Sequence, residues 1–318
     1  MTIRTLLGRF GPLLGLLAVF LLFFLLVLWK SGSSSFASAG NIRTIALQSA
    51  IVGMAALGMT MIIISGGIDL SAGAVVALTS CVVALLLQRS GAGAVPAAVG
   101  GVLAGGLCGA LNGFLITRLR EVPPFIVTLG TSLALRGIAK ESGENKTINP
   151  DPSALDTLLD PTGVLPLGVW MVVGLAIGVS LLLGYTRFGR HLFAIGSNEQ
   201  AALLCGVPIA RTKILVYALG GLFGGLAGLL QYSRLTIGDP TSAPGLELDV
   251  IAAAVIGGAS LAGGEGTVSG SLVGALIMTT IRAGCSQMGW PNSRQEIVTG
   301  IIIIAAVALD RLRHRPAR

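Results

Sequence analysis

Charge is scarce in this sequence. Only 11% of its residues are Asp, Glu, Lys or Arg, less than half the roughly 25% of an ordinary soluble domain. Aromatic residues are also scarce, at 5%. The four cysteines, Cys81, Cys108, Cys205 and Cys285, form no CxxC pair. That removes the usual signatures of a disulfide framework or a zinc site and leaves small core residues. The two histidines, His191 and His314, sit in basic polar segments with no partner at ligand spacing. No GxxxxGK[ST] occurs: Gly143-Glu144-Asn145-Lys146-Thr147 lacks the Gly before Lys, so no phosphate-cradling loop is expected. HExxH, GxSxG and paired-carboxylate sites are missing too, which argues against an enzyme. The +7 net charge is scattered between apolar runs, not gathered into a stripe, and so gives no support to nucleic-acid binding.

What fills the chain is apolar: 53% hydrophobic residues and a mean hydropathy of +0.86, a composition suited to the lipid bilayer. Its 46 glycines suit membrane helices packed backbone to backbone. In a soluble bundle each interior Gly would cost about 1 kcal/mol. The expected fold is an all-α polytopic membrane protein with ten spans, at 10–29, 42–64, 71–88, 95–117, 124–140, 167–184, 212–232, 249–263, 267–284 and 296–309. The eighth span is short for a full crossing and reads as a broken or re-entrant helix. Arg4 and Arg9, the first apolar run and Ala37-Ser38-Ala39 imitate a secretory signal. The run is longer than the usual 7–15 residues of such a core, so a retained first helix is expected.

Placing both termini in the cytoplasm puts Arg4, Arg9, Arg118, Arg120, Arg187, Arg190, Arg211, Lys213, Arg311, Arg313, Arg315 and Arg318 on the inner face. Asp69, Glu121, Glu199, Glu265 and Asp310 accompany them. The entire net charge then lies inside, as the positive-inside rule requires. Residues 1–318 read as one transmembrane domain, with an outer loop at 141–166 and an inner loop at 186–213.

Two segments interrupt the apolar pattern. Gly66-Gly67-Ile68-Asp69-Leu70-Ser71 lies between the second and third spans, and Gly257-Gly258 through Gly263-Gly264-Glu265 between the eighth and ninth. Breaks at membrane depth must be buried in protein or face a water-filled cavity. Asp69 and Ser71 suit the opening of the third helix, with Asp69 read as a cap near the cytoplasmic surface. Glu265 is expected to cap the ninth through its charge. Their likeness suggests a duplication in two halves of inverted sense, with a pathway between them. Small-xxx-small series at Gly101/Gly105/Gly109/Gly113, Gly220/Gly224/Gly228 and Gly266/Gly270/Gly274 predict close helix packing.

In the inner loop, Asn198 or Ser197 can cap a short helix from Glu199 to Leu204, ended by Gly206 and Pro208. Ala201 and Leu204 give it an apolar patch. That patch suits either a docking partner or the bilayer surface.

These motifs, with Gly245-Leu246-Glu247-Leu248-Asp249-Val250-Ile251-Ala252-Ala253, resemble the ribose/galactofuranose-type permease family of ABC sugar importers, from about Ile42 to Asp310. The resemblance implies a ten-helix permease that pairs with a second permease copy, identical or different. It implies a cytoplasmic ABC ATPase subunit, carrying ATP and Mg, docked on the inner loop. It also implies a periplasmic sugar-binding protein at the outer face of the bacterial inner membrane. Glu199, Ala201 and Gly206 match the family's coupling pattern, in which Asn198 and Ala202 are included. No cofactor is expected on this chain. Residues 141–150 look closer to the galactofuranose-type branch, whereas Arg282 and Cys285-Ser286-Gln287 depart from the family. Polar candidates for the substrate pathway are Asn41, Gln48, Gln231, Asp239 and Glu247. The alternative is an ion-coupled secondary transporter of a small polar solute. It would want ionisable residues within the spans, and the helix interiors read as nearly charge-free.

Overall fold

The computed structural model describes residues 3–90, 93–160 and 165–313. His314, Arg315 and Arg318 lie outside the described residues, as do the side chains of Arg4, Arg9, Asp310, Arg311 and Arg313. The described residues form twelve α-helices and two short 3-10 helices. The helices are α1 (Ile3–Ser31), α2 (Ala39–Ile64), α3 (Ala72–Ser90), α4 (Ala94–Arg118), α5 (Pro124–Ser142), α6 (Leu167–Tyr185), α7 (Arg187–Ser197), α8 (Glu199–Leu204), α9 (Ile209–Leu235), α10 (Leu246–Ile256), α11 (Val268–Gln287) and α12 (Asn292–Arg313).

Nine of the ten expected spans are helical throughout or nearly so, whereas the eighth, 249–263, is helical only as far as Ile256. Seven helices, α1, α2, α3, α4, α6, α9 and α11, are long and apolar enough to cross a membrane. This is an all-α polytopic membrane protein. Of the other three, α10 has 11 residues, about 16 Å, and cannot span a hydrocarbon core of about 30 Å. The short eighth span is thus a half-helix, preceded by the non-helical stretch 236–245. α5 carries Arg136, Lys140 and Glu141, and α12 has charged residues at both ends.

α2 is the centre: every residue from Ser49 to Ile64 is buried. Around it, glycine decides how closely helices approach. A Cβ at Gly105 or Gly109 of α4 would strike the backbone of α9 at Gly221, so the two helices meet main chain to main chain, as glycine seams allow. Gly220 and Gly224 turn the other side of α9 to Ile62 of α2 and Val75 of α3. The third series is shorter than expected. Gly270 and Gly274 lie against Gly257 and Ala253 of α10, but Gly266 precedes α11 and belongs to the loop.

Helix directions follow from side-chain pairs. Ser49 bonds Thr279, and Thr60 donates to Ser271 at 2.7 Å, so α2 runs antiparallel to α11. Gly257 faces Gly270 and Ala253 faces Gly274, so α10 is also antiparallel to α11. α2 and α10 therefore run parallel, and the two breaks that follow them are traversed in the same sense. This corrects the inverted relation expected between these two motifs. A match that skips six spans preserves direction.

Candidate functional site

The inner loop folds as two helices. Thr186 caps α7, its hydroxyl accepting from the Gly189 amide at 3.1 Å. Gly189, Leu192 and Ile195 are buried while Arg187 and Arg190 face out. Asn198 then caps α8: its Oδ1 accepts from the Ala201 amide at 2.9 Å, leaving Ser197 out of that role. α8 ends as expected. The amides of Gly206 and Val207 donate to the carbonyls of Leu203 and Ala202, with Gly206 at φ +80°, a left-handed closure that favours Gly. Glu199 pairs with Lys213 of α9 at 2.7 Å. Ala202 turns inward, whereas Leu203 is 62% and Leu204 89% exposed. A cleft of about 650 Å³ runs beside α8, lined by Leu203, Glu199, Lys213, Arg120, Val122 and Ile116.

The end of α7 is welded to both helix breaks. The Gly264 amide donates to the Ile64 carbonyl at 2.9 Å, joining break to break. A Cβ at Gly196 would overlap both of those groups, and one at Gly263 would fall 2.9 Å from the Cα atoms of Gly196 and Gly66. Four glycines from three chain segments thus converge on one point, with the exposed α8 two residues further along. No side chain larger than hydrogen fits at Gly196 without moving backbone.

The first break is satisfied by side chains. The Gly66 and Gly67 amides close α2 onto the Ile63 and Ile62 carbonyls. The Leu70 amide donates to Thr128 Oγ1 at 3.0 Å, and the Tyr217 hydroxyl donates to the Ile68 carbonyl at 3.3 Å. Asp69 Oδ1 accepts from the amide and hydroxyl of Ser71, and Asn112 donates to that hydroxyl. Asp69 is therefore not a surface cap: it is buried, along with Ser71, Asn112 and Thr128. The second break uses mostly main chain, with Ser260 Oγ accepting from the Ala262 amide at 3.3 Å. Gly258 and Ala259 donate to Val255 and Ala254, mirroring Gly66 and Gly67, and Ser260 donates to the Glu265 carbonyl. Thr267, not Glu265, caps α11, accepting from Gly270 at 3.2 Å.

The five substrate-pathway candidates are not brought together. Asn41 donates to the Phe36 carbonyl beside the start of α2. Asp239 accepts from the amide and hydroxyl of Thr241 in the stretch before α10. Gln48 and Gln231 are half-buried on α2 and α9. Only Glu247 meets a functional group of opposite charge, Arg136 of α5, at 3.8 Å. Beside it, buried Asp249 pairs with Arg282 of α11. The helix interiors are thus not charge-free. Arg136, Asp249 and Arg282 were overlooked as site residues, although an ionisable side chain inside an apolar span is itself the signal.

Comparison with known proteins places this geometry. Residues 41–307 match a family described as the permease component of branched-chain amino acid transport systems. The chain belongs to this permease family. It is 39% identical to the ribose import permease of Bacillus subtilis (strain 168), over 95% of this chain and 92% of that protein. It is 36% identical to the L-arabinose transport system permease of Escherichia coli (strain K12), over 98% of this chain and 94% of that one. With an L-arabinose ABC transporter permease of Azospirillum brasilense it shares 37% identity, over 89% and 83% of the two chains. No solved structure matches.

Proposed function

We propose that this chain is the transmembrane permease subunit of an ABC importer that moves a monosaccharide, of the pentose or furanose/hexose class, across the bacterial inner membrane. The observation that carries this is its end-to-end similarity to ribose and arabinose permeases. The family description names branched-chain amino acids, but these sugar permeases match across nearly the whole chain. The ion-coupled alternative gains nothing from them.

In this reading both termini are cytoplasmic and α8 is a lever on the inner face. A cytoplasmic ABC ATPase carrying ATP and Mg docks on Leu203, Leu204 and the adjoining cleft. A second permease, of the same or a different sequence, completes the pathway. A periplasmic binding protein delivers the sugar. Closure of the ATPases displaces α8, and the glycine junction passes that motion to both breaks at once. Coupling demands different contacts in the two states, and the junction ties the lever to the segments best placed to change them. The test is reconstitution of the permease in proteoliposomes with an ABC ATPase and a sugar-binding protein from the same organism. ATP-dependent accumulation of D-ribose or L-arabinose is expected. Accumulation without the ATPase, or of leucine in place of sugar, contradicts the proposal.

A further inference from the structure

Four ionisable side chains lie within or beside the membrane helices and play no part in the lever: Arg136, Glu247, Asp249 and Arg282. A charge at the centre of a membrane helix costs about 2.5–3.5 kcal/mol on insertion scales, so such groups persist where they are paired and used. Arg136 stands 12 residues along α5 from Pro124, or about 18 Å. Its guanidinium donates to the carbonyls of Ser242 at 3.3 Å and Ala243 at 3.1 Å. Ala243 has φ +55°. Arg136 thereby anchors the non-helical stretch that delivers the chain into α10, a stretch whose carbonyls have no helix to satisfy them.

That role explains Arg136 and leaves Glu247 unexplained. At 3.8 Å from Arg136, Glu247 Oε2 is within ion-pair range but beyond a hydrogen bond. The atom is buried and accepts no hydrogen bond. Space for it is made by Gly73, where a Cβ would overlap Oε2 and lie 2.9 Å from the Ala243 carbonyl and 3.3 Å from Arg136 Nη2. The pair is not sealed off. Arg136 and Glu247 side chains are 22% and 19% exposed, and Gly137, next to Arg136, meets nothing within 4 Å. Asp249, at 1% exposure, is held by Arg282, which fixes the first turn of α10 against α11.

An acceptor without a bond, beside a guanidinium with donors to spare, fits a group that donates and accepts at once. A hydroxyl does both: it donates to Glu247 and accepts from Arg136. An aliphatic side chain would leave the carboxylate unmet, at the full penalty of a buried unsatisfied polar group. We propose that Arg136 and Glu247, whose carboxylate fills the space left by Gly73, form a station within the permease that binds the hydroxyls of a neutral polyhydroxylated solute. This rests on the monosaccharide reading above and assigns it contact residues.

The test uses the complete importer in proteoliposomes, with wild-type, Glu247→Gln and Glu247→Ala permeases and one preparation of binding protein. D-ribose moved per ATP hydrolysed is measured beside the same ratio for a D-ribose analogue lacking one hydroxyl. Sites built to bind a hydroxyl discriminate strongly against analogues without it. Glu247→Ala should therefore lower D-ribose moved per ATP about tenfold or more and compress the preference over the analogue. Glu247→Gln should fall between the two. Because the binding protein is common to all, a changed preference arises in the permease. An unchanged preference in both variants overturns the station, whether uptake holds or falls along with the unfolding temperature. A wild-type importer that moves no pentose, furanose or hexose overturns the monosaccharide reading itself, and with it the ligand assigned here.

Discussion

The two helix breaks close alike and are satisfied differently. Both α2 and α10 end in the same pair of backward hydrogen bonds, at Gly66–Gly67 and Gly258–Ala259. Beyond that point the first break draws on Asp69, Ser71, Asn112, Thr128 and Tyr217. The second relies mostly on main-chain bonds, at Gly263 and Gly264, with one side-chain acceptor, Ser260 Oγ. Burial accompanies the contrast. Asp69 and Ser71 of the first break are buried, although Gly66 is exposed, and the amides and carbonyls around them need protein partners. Ala262 and Glu265 of the second are exposed, and the Ala262 amide donates to Ser260 Oγ at 3.3 Å. The first break is thus a fixed point. The second is richer in glycine, and the glycine junction is where α7 holds the two together.

Breaking the junction should have the largest effect. Gly196→Val forces a side chain into the Ile64 carbonyl and Gly264 amide and should cost about 3 kcal/mol, read as a fall in unfolding temperature of the purified permease and loss of ATP-driven uptake. Asp69→Ala strands the Ser71 amide and hydroxyl in a buried site and should cost about 2 kcal/mol. Asp69→Asn, which keeps an acceptor, should lose less in the same measurement. On the second break, Thr267→Ala removes only the cap of α11, and about 1 kcal/mol is expected. A Thr267→Ala loss as large as that of Asp69→Ala would erase the contrast between the breaks. The smallest effect belongs to the surface. Glu199→Gln weakens a pair with Lys213 that is half exposed on the Glu side, for less than about 1 kcal/mol of stability, while sugar moved per ATP falls.

What the sequence revealed was local. The bounds of α8 follow from Asn198 three residues before Ala201 and from Gly206 after its last turn, and the structure keeps all of them. Seven spans were equally plain, because a long apolar run has few alternatives. What stayed hidden depends on residues far apart. The burial of Asp69 requires Asn112, Thr128 and Tyr217 from three other helices. The shared direction of the breaks requires α11 to lie antiparallel to both α2 and α10. Thr267 displaces Glu265 as cap because its hydroxyl reaches the Gly270 amide, a choice between neighbours that composition does not decide. The amphipathic α7 was not expected, although the spacing of Leu192 and Ile195 against Arg187 and Arg190 carries its signal. The charges at Arg136 and Arg282, each set within an apolar run, carry theirs too.

The central claim is that the exposed tip of α8 receives an external ATPase. The most direct test is a permease carrying Leu203→Glu and Leu204→Glu. Both side chains face outward in the isolated chain, so the unfolding temperature of the purified permease should stay at its wild-type value. Co-purification of the ATPase and ATP-driven sugar uptake should both be lost. A double variant that retains its ATPase and transports at the wild-type rate would contradict the account.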